Sequence, residues 1–300
     1  MSDVQLLQGD CLEKMKEIPD GSINTCITSP PYFGLRDYDH DMQIGLEQTP
    51  AEFVESLVKV FREIRRVLKD DGTVWLNLGD SYARQGGRKG NRPRHWDGRS
   101  LSADSMSHTR QAADIGFKPK DLIGVPWRVA FALQDDGWYL RQDIIWNKTN
   151  PIPESVKDRC VKSHEYIFLL SKNSRYYFDA DSIREPSESS RSINEKYNFD
   201  RSTTTRKKRS VWTVSTKPYK GAHLATFPPT LIEPCVLAGC PVGGTVLDPF
   251  VGSGTTGMVS VKHDRNFIGI DINQEYLKIA EERIKGVESD STLNNFIDWE

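Results

Sequence analysis

Two short runs in this 300-residue chain carry residue types whose spacing suits chemistry. One is Asp248-Pro249-Phe250-Val251-Gly252-Ser253-Gly254-Thr255-Thr256-Gly257, directly behind the apolar strand Thr245-Val246-Leu247. Glycines let backbone approach a ligand closely, and the helix opening behind them offers free N–H groups. The next apolar stretch, Phe267 to Ile270, ends at Asp271, an acid placed to accept hydrogen bonds from ribose hydroxyls. The spacing Gly252-x-Gly254-x-x-Gly257 formally matches a dinucleotide fingerprint, which alone is a weak signal. No Gly-Lys-Ser/Thr ending follows, so a nucleoside triphosphate loop is disfavoured. Asp248 at the strand tip suits a cationic amino-acid moiety and poorly suits a pyrophosphate. S-adenosylmethionine carries an ammonium and a sulfonium beside an adenosine. Asp248 near its methionine end and Asp271 on its ribose would suit it; the plainer role for either acid is a helix cap.

The other run is Ser29-Pro30-Pro31-Tyr32, which abruptly stops the apolar strand Ile23 to Thr28. Two prolines fix the backbone and remove two N–H donors, so nearby carbonyls are held rigid. A rigid carbonyl and a hydroxyl can accept the hydrogens of an exocyclic amino group, and an aromatic ring beside them can stack on a planar base. An ordinary proline turn with a core tyrosine is the competing reading.

Together, Thr28-Ser29-Pro30-Pro31-Tyr32 and Leu247 to Thr256 resemble the two signature motifs of amino-group DNA methyltransferases. With the catalytic turn first and the cofactor loop last, the order resembles the beta class of that family. Ile144-Ile145-Trp146-Asn147-Lys148, Lys162 to Lys172 and Ala225-Thr226-Phe227-Pro228 also look like family segments. The resemblance implies a circularly permuted Rossmann-like α/β fold: a mostly parallel sheet with helices on both faces and a basic recognition insert. It implies S-adenosylmethionine as cofactor, with Asp10 near the adenine amino group. Phe250 and the stretch from Ala225 to Pro229 would line the methionine side. Pro249, Gly252, Gly254, Thr255 and Thr256 complete the implied cofactor set, and Ser29, Pro30, Pro31 and Tyr32 form the implied catalytic set.

Adenine-N6 members of the family mostly carry Asp where Ser29 stands, and Ser resembles the cytosine-N4 members. A hydroxyl both donates and accepts, which suits cytosine with its N4 donor and N3 acceptor. The reading is therefore site-specific methylation of cytosine N4 in double-stranded DNA on a flipped-out base, with adenine N6 as the alternative. Methylation of RNA or of a protein glutamine, a DNA-binding module with a dead pocket, and a dinucleotide oxidoreductase are the rivals. Cytosine-C5 chemistry would need a cysteine nucleophile. Pro234-Cys235 superficially fits, but it lies in an apolar helical run with Leu231, Ile232, Val236 and Leu237, so Cys235 reads as core. None of the six histidines lies beside either motif.

The elements that must position these residues follow from pattern. Val4 to Leu7 reads as a strand and Cys11 to Ile18 as a short helix, giving a βαβ unit with Ile23 to Thr28. Thr49 caps a helix with Pro50 at its first position and Glu52 completing a capping box; Phe53, Leu57, Phe61, Ile64 and Leu68 mark its apolar face. Asp70-Asp71-Gly72 then reads as a turn into the strand Thr73 to Leu78. Strands follow at Ile144 to Trp146 and Tyr166 to Leu170, the latter paired in a hairpin with Arg175 to Phe178. Gln274 to Ile284 is a closing helix. The family resemblance implies a circular permutation with the catalytic half first and the cofactor half last, so the two termini should lie near each other.

Two segments have no apolar period. Residues 84–110 hold seven Arg/Lys against two Asp, and Arg88, Arg92 and Arg94 suit a second DNA clamp. From Arg201 to Lys220 there are seven basic side chains and no acid: Arg201, Arg206, Lys207, Lys208, Arg209, Lys217 and Lys220, with Trp212 and Tyr219 between them. Cations contact phosphates, and Arg, Asn and Ser can read base edges. The organisation is a catalytic half over residues 1–182, a target-recognition segment over 183–220 and a cofactor half over 221–300.

Formal net charge is −2, so the chain as a whole is no basic nucleic-acid coat and its basic surface is local. Five scattered cysteines with no CxxC pair argue against a disulfide framework or a zinc site. No apolar run approaches signal or membrane-span length, which predicts a cytoplasmic protein without membrane contact. No nuclease segment is apparent, which leaves room for a cognate restriction endonuclease as a separate partner. The sequence sets neither the DNA site nor the choice between monomer and homodimer.

Overall fold

The structure is a computed structural model that describes residues 2–35, 43–83, 115–187, 205–216 and 227–291. Its centre is β2 (Ile23–Thr28), with all six residues buried. Such a strand is covered on both faces, as parallel sheets require. On one side of it lies β3 (Leu68–Leu78); on the other lies β9 (Thr245–Asp248). Beyond β9 come β10 (Asn266–Asp271) and then β1 (Val4–Gln8), all parallel. Beyond β3 come β5 (His164–Ser171) and β4 (Tyr139–Asn147), both joined by antiparallel pairings. β8 (Val211–Thr213) closes the far edge, parallel to β4. The order is β1-β10-β9-β2-β3-β5-β4-β8. A separate two-stranded ribbon pairs β6 (Glu185–Pro186) with β7 (Thr205–Arg206).

The pairing of β1 with β10, Val4 opposite Phe267, makes neighbours of the strands nearest the two chain ends, as the permuted order requires. The sheet is doubly wound. Side chains of α1 (Cys11–Met15), α2 (Pro50–Val67) and α3 (Val125–Asp135) fill one core with Val74, Leu76 and Phe168. Side chains of α4 (Pro229–Gly239), α5 (Thr255–Lys262) and α6 (Gln274–Ser291) fill the other with Trp75, Ile167 and Leu169. Alternate residues of β3 and β5 thus face opposite layers, the period of a strand.

Local chemistry accounts for the boundaries. The Thr49 hydroxyl accepts from the Glu52 N–H at 3.2 Å, and Glu52 accepts from the Thr49 N–H at 3.0 Å, the reciprocal cap the spacing predicts. α1 is shorter than its apolar spacing suggests, because Ile18 precedes Pro19 and the α conformation is disfavoured there. Asp70-Asp71-Gly72 does not separate two elements. It is an excursion within β3, where pairing with β2 jumps from Ile23–Leu68 to Thr25–Thr73. No hairpin forms at Arg175 to Phe178: the Tyr177 N–H donates to the Asp71 carbonyl at 2.9 Å, and Phe178 stacks on Trp75. α3 carried no predicted helix; Asp80, at the end of β3, caps it through the Gly124 and Val125 N–H groups at 3.0 and 3.1 Å.

Residues 210–214 are tied into the main sheet through β4 rather than standing apart from it. Trp212, expected among DNA-facing aromatics, is 6% exposed and packs on Trp75, so it belongs to the core. Among the described residues no helix is long and apolar enough to cross a membrane.

Candidate active site

The connections from β9 and β2 run outward in opposite directions, so their adjacent carboxyl ends form the switch point where open α/β sheets bind ligands. Both motifs start there. The Thr28 hydroxyl donates to Asp248 Oδ1 at 2.6 Å, and the Thr256 hydroxyl donates to Oδ2 at 2.7 Å. The Phe250 N–H adds a third bond at 3.1 Å. Asp248 is 1% exposed, and burial pushes its carboxyl up to about 6 against the pull of these donors.

Behind Asp248 the glycine turn wraps the tip of β10. The Gly252 N–H donates to Asp271 Oδ2 at 2.9 Å, and the Asn273 N–H donates to Oδ1 at 2.8 Å. Burial raises the Asp271 carboxyl too. Each carboxylate oxygen has two lone pairs, so acceptor capacity remains. Gly254, at φ +80, precedes α5, and a Cβ there would lie 2.7 Å from Ala280 Cβ. Asp10 at the end of β1 caps α1 through Oδ1, at 3.0 Å from the Leu12 N–H and 3.1 Å from that of Glu13.

On the β2 side, Ser29-Pro30-Pro31-Tyr32 turns out of the sheet. The Tyr32 hydroxyl donates to Glu165 Oε2 at 2.7 Å, and the Asn77 amide donates to the same oxygen at 3.3 Å. Lys148 forms an ion pair with the other oxygen of Glu165, and its ammonium sits 4.3 Å from the Trp146 ring centroid. Burial and the neighbouring Glu165 charge hold the Tyr32 phenol well above its ordinary value. Gly79 makes room for the ring: a Cβ there would lie 2.7 Å from Tyr32 Cε2.

One cavity of about 1050 Å³ spans both sides. Its wall holds Asp10, Ser29, Pro30, Pro31, Tyr32, Phe227, Pro249, Phe250, Gly252, Thr255 and Asp271 from the predicted set. Asp248, also read as a cofactor ligand, lies beneath the wall and accepts from Thr28, Thr256 and the Phe250 N–H, because a carboxylate this deep must find its donors in the protein. Gly254 and Thr256 are also buried and support the loop from below. Of the DNA-facing set, Lys207 and Arg209 are exposed, Arg206 is ion-paired to Glu185 at 2.8 Å, and Lys208 lies over the Trp212 ring. Arg88, Arg92, Arg94, Arg201, Lys217 and Lys220 lie outside the described residues, as do Ala225, Thr226 and Tyr219. Cys235 is fully buried and desolvation pushes its thiol far up, so it is core and no nucleophile.

Glu165, Lys148, Asn77 and Gly79 complete the Tyr32 side, and sequence reasoning did not select them. The signal was charge beside or inside apolar strands: Lys148 directly after β4 and Glu165 in β5, in stretches already matched to family segments.

Comparison with known proteins decides what this geometry serves. A family model described as DNA methylase, for the N6/N4 methyltransferases, matches residues 23–282. The chain belongs to this family. The Type II methyltransferase M.Cfr9I of Citrobacter freundii is 48% identical over 286 residues, 95% of this chain and 89% of that protein. M.SmaI of Serratia marcescens is 49% identical over 280 residues, 93% of this chain and 90% of that protein. The fold matches a solved PvuII DNA methyltransferase, cytosine-N4-specific, with TM-score 0.67 and 20% identity over 99% of this chain and 89% of the other. It also matches a putative DNA modification methylase of Thermus thermophilus, solved with S-adenosyl-L-methionine, with TM-score 0.58 and 22% identity over 94% and 95% of the two chains.

This DNA methyltransferase acts on exocyclic amino groups and is S-adenosylmethionine-dependent. The chemistry of its cavity fits that group. Gly252, at φ +51, would present a Cβ with no atom nearer than 4.0 Å, so backbone is open to a ligand there. Asp10 and Asp271 supply acceptors, while Phe227, Phe250, Ile272 and Tyr276 supply apolar surface.

Proposed function

We propose that this methyltransferase modifies the exocyclic N4 of cytosine at a specific site in DNA, by direct transfer to a flipped-out base. The observation that carries the reading is the neutral hinge. Ser29 brings a hydroxyl and no charge to the cavity, and the nearby carboxylate of Glu165 is neutralised by Lys148. The PvuII enzyme it resembles in fold is named cytosine-N4-specific.

Bound cofactor supplies an electrophilic methyl group on a sulfonium. Asp271 and Asp10 would hold the nucleoside end, and the backbone at Gly252 and the ring of Phe250 would hold the other. Tyr32, anchored by Glu165, offers its ring to the face of the base. The Ser29 hydroxyl and the Pro30 carbonyl accept the two amino hydrogens. Those bonds draw the nitrogen toward tetrahedral geometry and stabilise the positive charge that builds on it. The nitrogen would then take the methyl in line as the methyl–sulfur bond breaks, and pass one of its hydrogens as a proton to water. Positioning supplies much of the rate, and no titrating histidine is needed.

Lys207, Arg209 and the neighbouring segment track the DNA backbone and read its grooves, and a cognate restriction endonuclease is the expected companion of a Type II enzyme. The test is direct: unmodified DNA is incubated with labelled methyl donor and digested to nucleosides. Label in N4-methylcytosine is expected. Label in N6-methyladenine would replace the base assignment, and no label in DNA would end the reading.

A further inference from the structure

We propose that Ile152 is a wedge that enters the DNA stack at the target position and fills the space the extruded base leaves. The inference rests on reading the cavity as one that receives a base from duplex DNA. It names the residue that makes extrusion favourable.

Ile152 lies on the cavity wall and is 85% exposed, more than any other large apolar side chain among the described residues. A lone exposed aliphatic residue needs no explanation by itself. This one sits between Pro151 and Pro153, which restrict the backbone on either side and hold Ile152 itself to an extended conformation. Its stem is fastened at both ends. Before it, the Thr149 and Ser215 hydroxyls lie 2.6 Å apart, and Asn150 and Thr216 exchange bonds of 2.9 and 2.7 Å. After it, Glu154 accepts from Arg159 at 2.7 Å and from the Lys162 N–H at 3.1 Å, while Arg159 covers the Tyr82 ring.

The same stem carries Lys148, whose partner Glu165 anchors Tyr32. The tip and the base-gripping ring are therefore parts of one braced unit, and both line the same cavity. Base extrusion exposes the apolar faces of the neighbouring pairs, and apolar side chains entering base steps are a recurrent way to cover them. A branched aliphatic tip brings no polar atom whose desolvation would oppose entry.

The test uses the full-length enzyme and the DNA site found by mapping its methyl label. Two duplexes of that sequence differ only opposite the target base, which faces either its normal partner or an abasic position. On the paired duplex, Ile152→Ala should lower kcat/KM at least roughly tenfold, with cofactor affinity unchanged. On the abasic duplex, where extrusion costs least, the variant should recover to near the wild-type rate. Ile152→Met should stay close to wild type on both. An Ile152→Ala variant that loses nothing on the paired duplex, or loses equally on both, overturns the wedge. A wild-type enzyme that leaves no methyl label in any DNA overturns the underlying reading instead, and the wedge with it.

Discussion

Thr28 and Asp248 stand 220 positions apart in the chain, yet their side chains meet at 2.6 Å across the centre of the sheet. The residue after Thr28 begins the proline hinge, and the residue after Asp248 begins the glycine turn. With β2 and β9 paired directly, this hydrogen bond ties the end of the strand that leads to the base side to the end that leads to the cofactor side.

Thr28→Val keeps the shape and removes the donor. It leaves a buried carboxylate with one bond fewer, which should cost about 1–3 kcal/mol of stability in urea denaturation. Turnover should fall more than cofactor affinity, because the two half-sites lose register. Equal kcat in the variant would show that this bond serves packing alone.

Burial holds the Asp248 carboxyl at about 6, against about 3.9 for a solvated aspartate. The folded state thus keeps its proton to higher pH than the unfolded chain. The resulting stabilisation is complete below about pH 4 and is lost as pH rises through about 6. Wild-type stability relative to Asp248→Asn should therefore decline over that interval and level off above it. Thermal melts of both proteins between pH 4 and pH 8 check this; a relative stability that climbs would reverse the sign.

Tyr32→Ala removes the stacking ring and its tie to Glu165. Turnover should drop on the order of 10²-fold, the scale of a misplaced reactant, while calorimetry shows cofactor affinity little changed. Tyr32→Phe keeps the ring, and Glu165 keeps Lys148 and Asn77, so the loss should be far smaller. A large loss of cofactor binding in Tyr32→Ala would make the tyrosine a structural residue.

Gly254→Ala combines a left-handed backbone with a Cβ 2.7 Å from Ala280 Cβ, so the α5–α6 contact must open. The strained backbone alone costs roughly 1–2 kcal/mol, and overpacking adds a similar amount. Gly252→Ala meets open space at φ +51 and should show the backbone cost only. Denaturation curves of the pair separate the two contributions; equal losses would mean the Ala280 contact yields freely.

Much of the scaffold was readable from short patterns. The Thr49–Glu52 capping box, the apolar strands behind both motifs and the glycines of the cofactor turn each report a local backbone requirement, and each appears where its pattern puts it. Long-range partners were not readable. Tyr32 and Glu165 are 133 residues apart, and no periodicity links them. Trp212 sits in a basic run that looks solvent-facing, yet β8 pairs with β4 and turns that side chain into the core.

Sequence alone determined the two chemical motifs, their permuted order and the elements that carry them, because prolines, glycines and apolar spacing act on backbone within a few residues. Tertiary structure alone decided that Asp248 lies beneath the cavity, that Glu165 and Lys148 brace Tyr32, and that an exposed Ile152 lines the same cavity. Those outcomes depend on which strands become neighbours. Strand order is chosen by burial summed over the whole sheet, a quantity no local stretch of chain contains.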